Sequence, residues 1–175
     1  KDIRQELTEM RQRLRGARWV SMENFHLTLS FLGDCSESDY YLIQDHFEDF
    51  SWKRFEVSLK GSGHFGSKKE PRILWTGVTP QEELCELQKR VCQQLEMLGF
   101  NLEKRKFSPH LTLARLKQTP FSQLAKVLQS MAIYQSRPFE VESFALYSSK
   151  LKDSGAEYTI EKTFKAIDAD LEQNL

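Results

Sequence analysis

Phe25-His26-Leu27-Thr28-Leu29 and Ser108-Pro109-His110-Leu111-Thr112-Leu113-Ala114-Arg115 are the two stretches that decide the fold. Each contains the tetrapeptide His-Leu-Thr-Leu. In an extended chain alternate side chains face opposite sides. His26 and Thr28 therefore share one face, and Phe25, Leu27, Leu29 and Phe31 share the other. His110 and Thr112 share a face in the same way, with Leu111 and Leu113 behind them. The apolar face belongs to a core, so the polar face looks into a cleft. Strict alternation sets Arg115 on the face opposite His110; a strand end or a bulge would have to turn it back.

The flanks of these motifs repeat one plan. Ile3, Leu7, Met10 and Leu14 fall at helical spacing within Asp2–Arg15. Phe25 to Leu32 reads as a strand. Ser36 and Asp39, spaced like a capping box, open a helix to about Asp49. Phe55, Val57 and Leu59 alternate as a strand, Gly61, Gly63 and Gly66 punctuate the connection, and Ile73 to Val78 is the next strand. Thr79-Pro80-Gln81-Glu82 then starts a helix, with Thr79 as cap and Pro80 in the first helical position. Leu84, Leu87, Val91, Leu95 and Leu98 form its apolar face, and Gly99 ends it. Strand Phe107–Leu116, helix Phe121–Met131 with Leu124 and Leu128 inward, and strands Phe139–Tyr147 and Tyr158–Phe164 complete the chain. The apolar parity switches between Val141 and Phe144, which predicts a bulge.

Each half, about 1–78 and 79–166, thus reads helix, strand, helix, strand, strand. The His-Leu-Thr-Leu motif occupies the same slot in both. A single bilobal domain over 1–175 is expected, with a polar tail over 167–175. The second half's first helix follows strand Ile73–Val78, and nothing comparable precedes Asp2. An apolar strand upstream of Lys1 is therefore expected in the natural chain.

Composition narrows the function. Lys plus Arg and Asp plus Glu are 25 each, for a formal net charge of zero. A protein that grips long duplex nucleic acid usually carries a basic excess, so any nucleic acid handled here is a short end or a single phosphate. No apolar run reaches the roughly 20 residues of a membrane span. Lys1 to Arg18 lacks the apolar core of a secretion signal. Cys35, Cys85 and Cys92 form no C-x-x-C pair, which disfavours a disulfide framework or a zinc site and fits a reducing, cytoplasmic setting.

Two histidines and two hydroxyls, without a nucleophile or a metal-ligand set, suit hydrolysis of a strained phosphodiester. Neutral imidazole takes a proton from the attacking water, and imidazolium gives one to the departing ribose oxygen. Thr28 and Thr112 can donate to the non-bridging oxygens, and Arg115 can clamp the phosphate. A lone histidine on a strand is more often structural; two identical motifs in equivalent slots reverse that balance. Asp34 and Glu23 read as turn or surface residues, and His46 as surface. His64 and Phe65 divide evenly between a base-stacking site and a turn anchor. Lys104-Arg105-Lys106 reads as a solvated loop that could draw in an RNA end. Cys85 and Cys92, one heptad apart, read as packing residues.

The paired motifs, Phe31-Leu32-Gly33, the Gly63–Gly66 stretch, Leu74-Trp75 and Leu146-Tyr147-Ser148-Ser149 resemble the 2H phosphoesterases over nearly the whole chain. Within that superfamily the sequence looks like the bacterial and archaeal RNA 2′,3′-cyclic phosphodiesterases of the LigT/ThpR type, once called 2′-5′ RNA ligases. The resemblance implies a two-lobed α/β fold of the α+β type, with antiparallel sheets and a pseudo-twofold axis through a central cleft. It implies opening of a 2′,3′-cyclic phosphate to a 2′-phosphate without metal or cofactor. It assigns His26 as proton donor and His110 as acceptor, whereas the residues alone are symmetric between these roles. It gives Thr28, Thr112 and Arg115 the phosphate.

The expected partners are RNA ends or small cyclic-phosphate nucleotides, with no membrane and no metal, and a monomer is expected. Two rivals share the fold: a nucleotide- or RNA-binding module, and 2′-5′ RNA ligation by the reverse reaction.

Overall fold

Ser36 begins the helix that the sequence marks best. Its hydroxyl accepts from the Asp39 N–H at 3.2 Å, and the Asp39 carboxylate accepts from the Ser36 N–H at 2.8 Å. These bonds satisfy backbone donors that a helix start leaves open, and they hold the Asp39 carboxyl below its usual range. In the computed structural model, which describes residues 2–152 and 155–167, the chain runs α1 (Ile3–Glu9), β1 (Ala17–Trp19), α2 (Glu37–Glu48), β2 (Phe55–Gly66), β3 (Pro71–Thr79), α3 (Glu82–Met97), β4 (His110–Leu116), α4 (Phe121–Met131), β5 (Phe139–Val141), β6 (Ser143–Lys152) and β7 (Gly155–Lys165). A 3₁₀ turn spans Met22–Asn24. The architecture is α+β. One sheet has the order β1-β4-β3-β2-β5, and β6 and β7 form a second. The pairs β1–β4, β4–β3, β3–β2 and β6–β7 are antiparallel. Among the described residues no helix is long and apolar enough to cross a membrane.

The chain divides into two compact units, and each draws on both halves of the sequence. The first comprises the segment up to Thr28, Val57–Glu82 and Lys106–Phe139. Its core lies on one face of the sheet. Val57 and Leu59 of β2, Leu74 and Val78 of β3, and Leu111 and Leu113 of β4 are buried there, as are Leu124, Val127 and Met131 of α4 and Leu7 of α1. Thr76, fully buried on β3, donates to the Gly61 carbonyl at 2.7 Å. Gln12 Nε2 donates to Ser130 Oγ, tying the segment after α1 to α4.

The second unit comprises Leu29–Glu56, Glu83–Arg105 and the chain from Glu140 onward. Ile43 and Phe47 of α2, Leu87, Val91 and Leu95 of α3, and Trp52, Leu102 and Phe164 form its core. Phe50, Phe144 and Phe164 each pack their rings on Phe47. At the end of α3, Phe100 N–H reaches the Leu95 carbonyl and Gly99 N–H that of Glu96, the bond pair of a Schellman stop.

Several expected boundaries move. The α1 helix ends at Glu9, although Leu14 is buried: the helical spacing continued because a loop residue serves the same core. The 25–32 strand reduces to one antiparallel bridge, Leu27 to Leu111. Leu29 and Leu32 pack in the second unit's core and Phe31 is 70% exposed, so a single apolar alternation is shared between two environments. The β2 strand continues through Gly61, Gly63 and Gly66, with a register shift between Lys60 and Gly63. Thr79 does not cap α3, because it pairs with Ser58 as the last residue of β3. In α4 it is Val127 that is fully buried, and Leu128 is half-buried. The parity switch after Val141 marks a change of sheet: β5 ends there and β6 starts at Ser143. The segment 168–175, most of the expected tail, lies outside the described residues.

Candidate functional site

All five residues singled out by the sequence, His26, Thr28, His110, Thr112 and Arg115, belong to the first unit. The Leu27–Leu111 bridge sets their geometry. Counted outward from this isolated bridge, antiparallel order aligns position 26 with 112 and position 28 with 110. All four residues are half-buried.

The two imidazoles are held alike. His26 Nδ1 lies 2.7 Å from the Asn24 carbonyl oxygen, and His110 Nδ1 lies 2.7 Å from that of Ser108. A carbonyl oxygen only accepts, so each Nδ1 carries the hydrogen and donates. That fixes the ring orientation and, in the neutral form, leaves Nε2 as the basic nitrogen. The 3₁₀ turn Met22–Asn24 presents the Asn24 carbonyl, and the residues entering β4 present that of Ser108.

Arg115 is turned back by a bulge. Trp75 pairs with Thr112, but Leu74 pairs with Ala114, so β4 spends two residues against one on β3. Leu113 and Ala114 are consequently buried in succession. Beyond the bulge Arg115 pairs with Ile73, which shares a face with Trp75 and Gly77, the partners of Thr112 and His110. Arg115 is exposed on the histidine face, and Arg18 of β1 stands directly opposite it.

Aromatic rings wall His110. The Phe65 ring meets it edge to face at 4.8 Å, and the Trp75 ring lies 6.3 Å away. Gly63 makes room for this wall, since a Cβ there would sit 2.2 Å from the Trp75 ring. Phe65 therefore faces His110. His64, next along β2, packs its ring on Phe121 of α4 at 5.5 Å.

The remaining candidates lie apart from this group. His46 is half-buried and its Nε2 is 2.6 Å from Gln94 Oε1, so it joins α2 to α3 within the second unit. Arg105 pairs with Glu103 in an exposed loop. Glu23 is exposed in the 3₁₀ turn, where its backbone N–H and Ser21 hold its carboxyl below the usual range. Cys35 is exposed, Cys85 and Cys92 are half-buried, and none of the three is in a disulfide. Sequence reasoning missed Trp75 as a neighbour of His110. The period-2 pattern of β3, with Ile73, Trp75 and Gly77 on one face, was the signal for it.

The chain belongs to the 2′-5′ RNA ligase superfamily, whose profile matches residues 1–153. It is 36% identical over 149 residues to the RNA 2′,3′-cyclic phosphodiesterase of Thermotoga maritima, covering 83% of this chain and 77% of that protein. It is also 36% identical over 141 residues to the Aeropyrum pernix protein of the same name, covering 79% of this chain and 80% of the relative. The crystal structure of a Thermus thermophilus protein matches with a TM-score of 0.74 at 27% identity, over 93% of this chain and 91% of that one. E. coli LigT complexed with 3′-AMP shares the fold, with a TM-score of 0.75 at 24% identity over 95% of this chain and 92% of that one.

Proposed function

We propose that this chain hydrolyses 2′,3′-cyclic phosphate ends of RNA to 2′-phosphates, with His26 and His110 as the acid–base pair. The observation that carries the reading is the matched geometry of the two histidines. They flank one antiparallel bridge, each with Nδ1 bonded to a carbonyl two residues back. The names of the relatives support the same substrate.

In the reaction, His110 Nε2 takes a proton from water as its oxygen attacks phosphorus. The bond from phosphorus to O3′ breaks, and protonated His26 Nε2 delivers its proton to O3′. The products are a 2′-phosphate and a 3′-hydroxyl, and the two rings regain their starting states by exchange with solvent. Thr28 and Thr112 donate to the non-bridging oxygens and Arg115 neutralises their growing charge. The same residues serve the reverse ligation, by microscopic reversibility. One chain carries both histidines, one from each half of the sequence (about 1–78 and 79–166), so a monomer suffices. Cysteines outside any disulfide suit a reducing, cytoplasmic setting.

The test is a short RNA ending in a 2′,3′-cyclic phosphate, incubated with the protein and excess EDTA. A 2′-phosphate product formed at the rate seen without EDTA is expected. Absence of turnover by the folded protein, or loss of turnover in EDTA, would overturn the reading. Arg115→Ala should lower kcat/KM by about 10- to 100-fold, because a charge-assisted contact to the phosphate is lost. Arg115→Lys should recover part of it, since the charge stays and the bidentate fork goes; steady-state kinetics on a nucleoside 2′,3′-cyclic phosphate measure both.

A further inference from the structure

An open groove of about 560 Å³ borders the histidine face. Trp75 and Gly77, the partners of Thr112 and His110, form part of its lining, together with Lys60, Ser62 and Gln81. Lys60 pairs with Gly77 in one ladder and Gly77 with His110 in the next. The three residues make one row across three strands, on one face of the sheet. Two strand spacings, about 10 Å, separate the Lys60 and His110 backbones. The residue between them has no side chain, and a Cβ on Gly77 would come within 2.9 Å of the Lys60 carbonyl oxygen. The Lys60 side chain is exposed. Glu82, also on the lining, accepts from the Gln81 N–H at 2.9 Å.

A cyclic phosphate held at His110 leaves the rest of its RNA to cross the sheet. The next anion along that chain is the phosphodiester on the 5′ side of the terminal nucleoside. We infer that Lys60 binds this phosphodiester, so that the groove takes the last internucleotide linkage of a single-stranded RNA end and selects an RNA chain over an isolated nucleoside cyclic phosphate. The inference rests on the cyclic phosphodiesterase reading and names a residue outside the acid–base pair. A lysine suits the task, because it contributes a point charge that tolerates any base sequence.

The test compares two substrates, adenosine 2′,3′-cyclic phosphate, which has no 5′ phosphate, and a trinucleotide ending in a 2′,3′-cyclic phosphate. Lys60→Ala and Lys60→Gln should each raise KM for the trinucleotide about tenfold, with kcat little changed. Their kinetics on the mononucleoside substrate should match the parent. The slope of log kcat/KM against log salt for the trinucleotide should become shallower by about 0.7, the loss of one single-strand phosphate contact. Lys60→Arg should retain the parent behaviour. Equal losses on both substrates, or no loss on the trinucleotide, would overturn the role of Lys60 and leave the phosphodiesterase reading standing. A parent that turns over neither substrate would overturn both.

Discussion

His110→Ala and His26→Ala should each lower kcat on a 2′,3′-cyclic phosphate end by about a thousandfold, within the range for loss of a positioned acid or base. The two protons move in one reaction, so removing either ring disables the step that the other serves. The double variant should therefore be only slightly worse than either single one, as for residues that act as a unit. Both rings are half-buried side chains outside the two units' buried cores, so their removal should leave the fold intact. A circular dichroism spectrum and melting temperature like the parent's are expected. In the parent, kcat/KM should follow a bell in pH, one limb for each imidazole. A profile without two limbs would overturn the paired acid–base mechanism. Additive losses in the double variant would show that the histidines work in separate steps.

Phe47→Ala should destabilise the protein by about 3–5 kcal/mol. The ring is 3% exposed at the centre of the second unit's core. It lies 5.2 Å from Phe50, 5.9 Å from Phe144 and 5.5 Å from Phe164, centroid to centroid. Alanine leaves a cavity bounded by those rings, which belong to α2's own exit and to the β6–β7 hairpin and so cannot all close inward. Urea unfolding would report the change as a lower midpoint with similar steepness. Phe47→Leu should recover more than half of the loss, because it restores most of the volume. A loss below about 1 kcal/mol would mean that the core repacks around the gap.

The placement of the candidate residues was partly legible in the sequence, and much of the geometry around them was hidden. Period-2 alternation put His110 and Thr112 on one face of β4, and the capping residues Ser36 and Asp39 marked the start of α2. Arg115 remained on the wrong face under strict alternation. The adjacent apolar pair Leu113-Ala114 was the trace of the bulge that returns it, but two neighbouring apolar residues have many causes. The Nδ1 anchors were invisible, since backbone carbonyls supply them and any residue at 24 or 108 has one. The parity break after Val141 was legible as an irregularity, though a bulge and a change of sheet look alike in one dimension. Helical spacing misled at Leu14 because burial in a loop can imitate one more turn.

The interleaving of the two units bears on how the chain comes off the ribosome. The first unit is built from segments that the second unit's segments separate, and Leu27 must wait for Leu111 to be made. Such distant pairings form late and raise the contact order, which slows folding. Until β4 emerges, the β2–β3 hairpin presents the edge of β3 that β4 later covers, an unpaired row of N–H and C=O groups open to a neighbouring nascent chain. Translation of the stretch between Thr79 and His110, at about 5–20 residues per second, is thus an interval in which that edge stands open.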